Sequence, residues 1–302
     1  MLPRRWFTPA LLLLALITLF GAALRFQNIG LIEHNVDHAY PIWQALQTLD
    51  HGVWPLLGQG TSVLFANPPL TGYLYLPLLA PWRSPVAVYV AVIALNTLAI
   101  PLGYWALRPL VGVPAALIAA LLLAVNPWVI EYSRTSWVQS LLPFFACLLA
   151  WLLFPIVSGT APRPVRRLVL LGAAAVVAVN TYLLAYLFLA QIGLLIALFW
   201  RRVPKRALLV ALVLVVLPAA MYAAALLADS AGLAARLESF GGGGLYFSGE
   251  ALSHALRLVS GADYPLARGA AAPEPFPGFW RAVEALSALL GWIVAAALAA
   301  GV

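Results

Sequence analysis

Cysteine is all but missing from this chain. Its one copy, Cys147, lies inside an apolar run, so no intramolecular disulfide can form, redox compartment is not legible from it, and packing accounts for it. Charge is scarce as well, at 9% of residues, against about 25% in a soluble domain. Hydrophobic residues make up 64% of the sequence and the mean hydropathy is +0.97, which is more apolar side chain than a soluble core can use. Acidic residues number 10 against 17 basic ones, a formal charge of +7. An excess of that sign can mark a nucleic-acid binder. Here the basic residues form short blocks at the ends of apolar segments, which is how membrane topology is encoded, so no nucleic-acid partner is expected.

What the sequence does have is a succession of apolar runs long enough to cross about 30 Å of hydrocarbon. They fall near residues 8–25, 85–107, 113–130, 137–157, 206–228 and 282–302. The run from Leu168 to Trp200 is too long for one ordinary helix and is interrupted by Asn180, Thr181 and Tyr182, so it divides into two short spans meeting at an outer turn. The expectation is an all-α, polytopic transmembrane protein of about eight spans, a single domain over 1–302. For the first run a cleaved signal peptide is the alternative, since Arg4 and Arg5 precede it and Gly21-Ala22-Ala23 close it. The many similar spans that follow favour an uncleaved helix.

Basic residues are retained in cytoplasmic loops. With the N-terminus inside, the inner connections carry Arg4, Arg5, Arg108, Arg163, Arg166, Arg167, Arg201, Arg202, Lys205 and Arg206, and all 10 acidic residues fall outside or at the outer edge. One long helix over 168–200 would place the last two basic blocks on opposite sides, which again favours the split. The protein is thus expected in the plasma (inner) membrane with its working face extracytoplasmic. Two external loops stand out. Residues 26–84 include an expected interfacial helix from Tyr40 to Leu49 and the Asn67-Pro68-Pro69 turn. Residues 229–281, with Gly241 to Gly244 and Pro273 to Pro277, are expected to form a mobile loop. Apolar residues run from Trp292 to Val302 with no basic stop, so the chain is expected to end within or at its eighth helix, the C-terminal part missing.

Polar residues that can carry chemistry gather in the first external loop. Asp37, just beyond the first span, can take a proton from a hydroxyl arriving from the aqueous side; equally, it can cap a helix beginning near Ala39. His34, Asp37 and His38 are of metal-ligating type, so a divalent metal held by the histidines is a weak alternative. Adjacent residues on a helix point about 100° apart, which hinders Asp37 and His38 from sharing an ion. After the third span, Arg134 sits at the membrane edge three residues beyond Glu131. A guanidinium there can bind a phosphate through its planar fork, or can pair with Glu131 and snorkel.

Asp37 with Tyr40, then Pro68-Pro69-Leu70, then Asn126-Pro127 with Ser133-Arg134, occur in the order and at the helix ends found in the GT-C membrane glycosyltransferases. The chain resembles in particular the protein mannosyltransferase and lipid A aminoarabinose transferase group, over roughly residues 1–200. Two departures stand out: His38 replaces the second acid of that group's motif, and Asn67 stands where many members carry His or Lys. The resemblance implies transfer of a hexosyl or pentosyl unit from a polyprenyl-phosphate sugar donor in the bilayer to an acceptor hydroxyl, with inversion. Asp37 is then the base, Arg134 the stabiliser of the departing phosphate and Arg25 a weaker alternative. Asn67, Tyr40 and His38 are further substrate-binding candidates. The 229–281 loop is a candidate to close over the substrates. Rival readings are a transporter or flippase, which should carry ionisable groups within its spans, and a noncatalytic membrane subunit.

Overall fold

The computed structural model describes residues 9–32, 34–61 and 65–228; the expected 229–281 loop and eighth span lie outside the described residues. Among the described residues every regular element is helical: α1 (Pro9–Phe26), α2 (Val36–His51), α3 (Leu70–Leu79), α4 (Pro85–Val125), α5 (Pro127–Tyr132), α6 (Leu142–Val157), α7 (Pro164–Thr181), α8 (Tyr186–Leu198) and α9 (Lys205–Ala228). Five segments among the described residues are long and apolar enough to cross a membrane. This is a multi-pass membrane protein.

At 41 residues α4 is about twice the length a bilayer needs. Gly112 divides it, at φ 80 and ψ 174, a conformation only glycine adopts readily, into arms matching the expected second and third spans. The second arm ends sooner than expected, at Val125. Pro127 cannot continue the backbone ladder, and Asn126 instead accepts a hydrogen bond from the Val129 N–H at 3.0 Å, starting α5 as a separate short helix. The long run divides at Thr181, where α7 stops and a short 3₁₀ turn (Leu183–Ala185) leads into α8. Arg202, in the turn between α8 and α9, donates to the Val157 carbonyl at the end of α6 at 2.5 Å. That contact brings the Arg201–Arg206 block to the same end of the bundle as the start of α7, where Arg163 to Arg167 lie.

The main core is formed by α2, α3, the first arm of α4, α6, α7 and α9. A smaller one joins α1 to both arms of α4, through Leu14 and Ile17 on α1, Tyr104 on the first arm and Ala120 on the second. Outward-facing residues of α1 and α9 are large and apolar, Leu19 and Leu209 among them, as a lipid-facing surface requires. Glycine permits the closest helix contact. A Cβ on Gly172 of α7 would stand 2.8 Å from both Cα and Cβ of Ala211 on α9. Alanine there gains about 1 kcal/mol of helix propensity, but the obstacle is backbone, and overpacking of this kind costs about 1–3 kcal/mol. Gly172→Ala is therefore expected to lower thermal stability in detergent, and an unchanged melting temperature would show that α9 can move aside.

Candidate functional site

A helix is present where one was expected from Tyr40 to Leu49, and it is longer. α2 begins at Val36, one residue after Asn35, whose side chain accepts from the His38 N–H at 3.1 Å. Asn35 is thus the N-cap, and capping does not explain Asp37. Asp37 sits in the first turn with its side chain exposed, where the helix dipole favours a carboxylate. Its Oδ1 accepts from Nε2 of Gln59 at 2.6 Å. Tyr40, three residues on and hence on the same helix face, is half-buried and packs on Trp43 with ring centroids 5.5 Å apart.

His38 turns inward. It is buried, its ring lies 6.1 Å from that of Trp137, and its carbonyl accepts from Ser136 Oγ at 2.7 Å. His34 pairs through Nδ1 with the Tyr89 hydroxyl at 2.6 Å. The two histidines thus face different partners, and among the described residues no three His, Cys, Asp or Glu side chains converge as a metal site. Burial and then the neighbouring His38 lower the His34 pKa below 6.5. The unfolded chain therefore binds this proton first, and the stability held by neutral His34 is lost as pH falls below about 6.5. Between pH 7.5 and 5, the melting temperature of the wild type should drop further than that of His34→Gln; equal drops would mean that His34 is not involved.

The linker after α5 closes on the same region. Arg134 Nη2 donates to the carbonyls of Gln27 (2.6 Å) and Asn28 (3.3 Å), just past α1, while its Nε is buried without a partner among the described residues. Ser136 is fully buried and its carbonyl accepts from the Tyr75 hydroxyl at 3.1 Å. Arg134 and Asp37 therefore belong to segments held together by Ser136 and Trp137 against His38, at the end of α6 opposite the Arg202–Val157 contact.

Two expected substrate-binding residues are occupied elsewhere. Arg25 is fully buried, with Nη1 donating to Gly21 and Ala124 carbonyls and Nη2 to the Leu123 carbonyl, all at 2.9 Å. It clips the end of α4 to α1. Asn67 is also buried: its Oδ1 accepts from the Leu183 N–H at 3.2 Å, and its backbone pairs with Gly58 (2.7 Å) and Gln59 (2.8 Å). It braces the first loop against the α7–α8 turn. Gln59, Ser136 and Tyr89 escaped the sequence reading. Only the flanking Gly58 and Gly60 hinted that residue 59 sits in an unusual backbone.

Protein-family models and curated proteins were both searched and neither gives a match. Among solved structures, the Saccharomyces cerevisiae protein O-mannosyltransferase Pmt1–Pmt2 complex bound to the sugar donor is similar, with a TM-score of 0.56 and 18% identity over 76% of this chain. The chain shares the helical membrane fold of that protein over this stretch. It spans only about a third (34%) of that neighbour's length. The archaeal oligosaccharyltransferase AglB from Archaeoglobus fulgidus, in complex with an inhibitory peptide and a dolichol-phosphate, matches at a TM-score of 0.47 and 14% identity, covering 89% of this chain and 40% of its own. In this fold the first loop, with Asp37, meets the α5–α6 linker, with Arg134, at one end of the bundle.

Proposed function

We propose that the protein is a glycosyltransferase that moves a sugar from a polyprenyl-phosphate donor, embedded in the bilayer, to an acceptor hydroxyl at the extracytoplasmic face of the plasma membrane. The observation that carries this reading is Asp37: an exposed carboxylate on α2, oriented by Gln59 and not consumed in capping, within a GT-C fold. The Pmt1–Pmt2 neighbour, bound to its sugar donor, supports the reaction class.

The reaction is a single displacement. Asp37 takes the proton of the acceptor hydroxyl as its oxygen bonds to the anomeric carbon. The bond from that carbon to the phosphate oxygen breaks, its electron pair leaves with the oxygen, and polyprenyl phosphate departs. Negative charge grows on that phosphate, and a guanidinium stabilises it best when already in place. Arg134 fits this role because Nη2 is anchored at the end of α1, which orients the remaining donors of the fork. Tyr40, on the face of α2 that carries Asp37, lines the acceptor side. Arg25 and Asn67 serve the frame, and His38 helps hold the α5–α6 linker.

A single displacement inverts configuration. When membranes carrying the protein are given a polyprenyl-phosphate sugar of known anomeric configuration, the product is expected to have the opposite one. Retention would exclude direct attack by an acceptor that Asp37 has deprotonated.

A further inference from the structure

Beside Asp37 lies a second polar group that the proposed reaction leaves unexplained. Gln59 is only 8% exposed, yet its side-chain Oε1 is buried with no hydrogen-bond partner among the described residues. The assignment of its amide follows from chemistry, because a carboxylate only accepts, so the NH₂ must face Asp37 and the carbonyl must face away. Burying an amide oxygen without a donor is unfavourable. An orphaned buried group in a native structure calls for an explanation, and a functional role is one.

The backbone around Gln59 is held firmly enough to aim the side chain. Gly58 N–H donates to the Asn67 carbonyl at 2.7 Å, and the Asn67 N–H donates to the Gln59 carbonyl at 2.8 Å. A Cβ on Gly58 would lie 2.4 Å from the Pro68 carbonyl oxygen, so only glycine allows the two segments this close. Asn67 is itself tied to the α7–α8 turn through Leu183. Gln59 therefore reaches Asp37 from a frame tied to the α7–α8 turn through Asn67 and to α2 through the Gln44–Leu57 hydrogen bond.

We propose that Gln59 is the positioning residue of Asp37, and that its unpartnered side-chain carbonyl accepts a hydrogen bond from a hydroxyl of the bound substrate. The proposal rests on the reading of Asp37 as the base. With Oδ1 taken by Gln59 Nε2, the carboxylate is fixed in rotation and Oδ2 is left to receive the proton. The carbonyl, on the same amide, then registers a hydroxyl against that carboxylate. This hydroxyl belongs either to the acceptor or to the donor sugar, and the two sources differ in which KM responds.

The test compares Gln59→Met, Gln59→Glu and Asp37→Asn in membranes carrying the protein, with a polyprenyl-phosphate sugar as donor. Met keeps the length and loses both polar groups. Were Gln59 merely structural, removing its orphaned carbonyl would leave or improve stability and leave turnover intact. The expected result is an unchanged or higher melting temperature with kcat down about 10²-fold, the cost of a misplaced reacting group, and a raised KM. A rise in acceptor KM assigns the carbonyl to the acceptor hydroxyl, and a rise in donor KM assigns it to the sugar. Gln59→Glu keeps the shape but sets a second carboxylate against Asp37. Two such groups share a proton, so the acid limb of its pH–rate profile should move to higher pH, with His34 and His38 common to every variant compared. Should Gln59→Met fail to accumulate, this shift alone decides. Wild-type kcat, KM and pH profile in both Gln59 variants, with Asp37→Asn inactive, would overturn the proposal and leave the base assignment standing. A fully active Asp37→Asn would remove the base assignment itself.

Discussion

Asp37→Asn is expected to yield a protein that inserts and melts like the wild type but turns over about 10²–10⁴-fold more slowly, the range usual for a general base. The structure makes this substitution unusually clean. The N-cap of α2 is Asn35, so Asp37 is not needed to start the helix. Asparagine retains a side-chain oxygen that can accept from Gln59 Nε2, as Asp37 Oδ1 does at 2.6 Å. The structural cost is confined to a favourable charge in the first helical turn, worth about 0.3–1 kcal/mol at an exposed position. What asparagine cannot do is take the proton of the acceptor hydroxyl. Stability and turnover therefore separate, and a loss of both together would point to a folding defect. Glu33→Gln is the companion control and should be much milder; a collapse there instead would move the base four residues upstream.

Arg25→Met is expected to do the opposite. The C-terminal carbonyls of a helix have no partners within it, and Arg25 supplies donors to two of those of α4, Leu123 and Ala124. Leaving a buried carbonyl unsatisfied costs about 1–3 kcal/mol, so losing both should destabilise by about 2–4 kcal/mol after some relaxation. The neighbourhood has little slack, because a Cβ on Gly21 would come 2.5 Å from Ile100 Cδ1. Thermal stability in detergent should fall markedly while turnover per folded molecule stays near wild type. An unchanged melting temperature with lost turnover would instead make Arg25 a phosphate ligand.

Arg25 also shows what a sequence alone leaves open in a membrane protein. A basic residue at the outer end of a span reads the same whether it faces a phosphate or folds back onto carbonyls, since both uses need only reach and charge. The helices themselves were legible. Length and hydropathy fix them, and the break at Thr181 was visible as three polar or aromatic residues in an apolar run. The kink at Gly112 was legible as a gap between runs, with Pro109 and Pro114 beside it. The site was only half legible. Asp37 stood out as an acid in an apolar chain, whereas Gln59 did not, because what singles it out is a contact across 22 residues that no periodicity records. Asn67 was legible as the start of a turn before two prolines, and the resemblance made it a substrate-binding candidate; its amide also holds a turn 116 residues away, a contact the sequence does not record.

Lipid analysis of cells that naturally make the protein tests the proposed donor chemistry most directly. Mass spectrometry of membranes containing the wild type, the Asp37→Asn variant or no protein would quantify polyprenyl-phosphate-linked sugar and free polyprenyl phosphate. The expected result is consumption of one lipid-linked sugar with matching release of polyprenyl phosphate in the wild type alone, and build-up of that donor in the other two. Identical lipid pools in all three membranes would contradict a lipid-linked sugar transferase with Asp37 as its base.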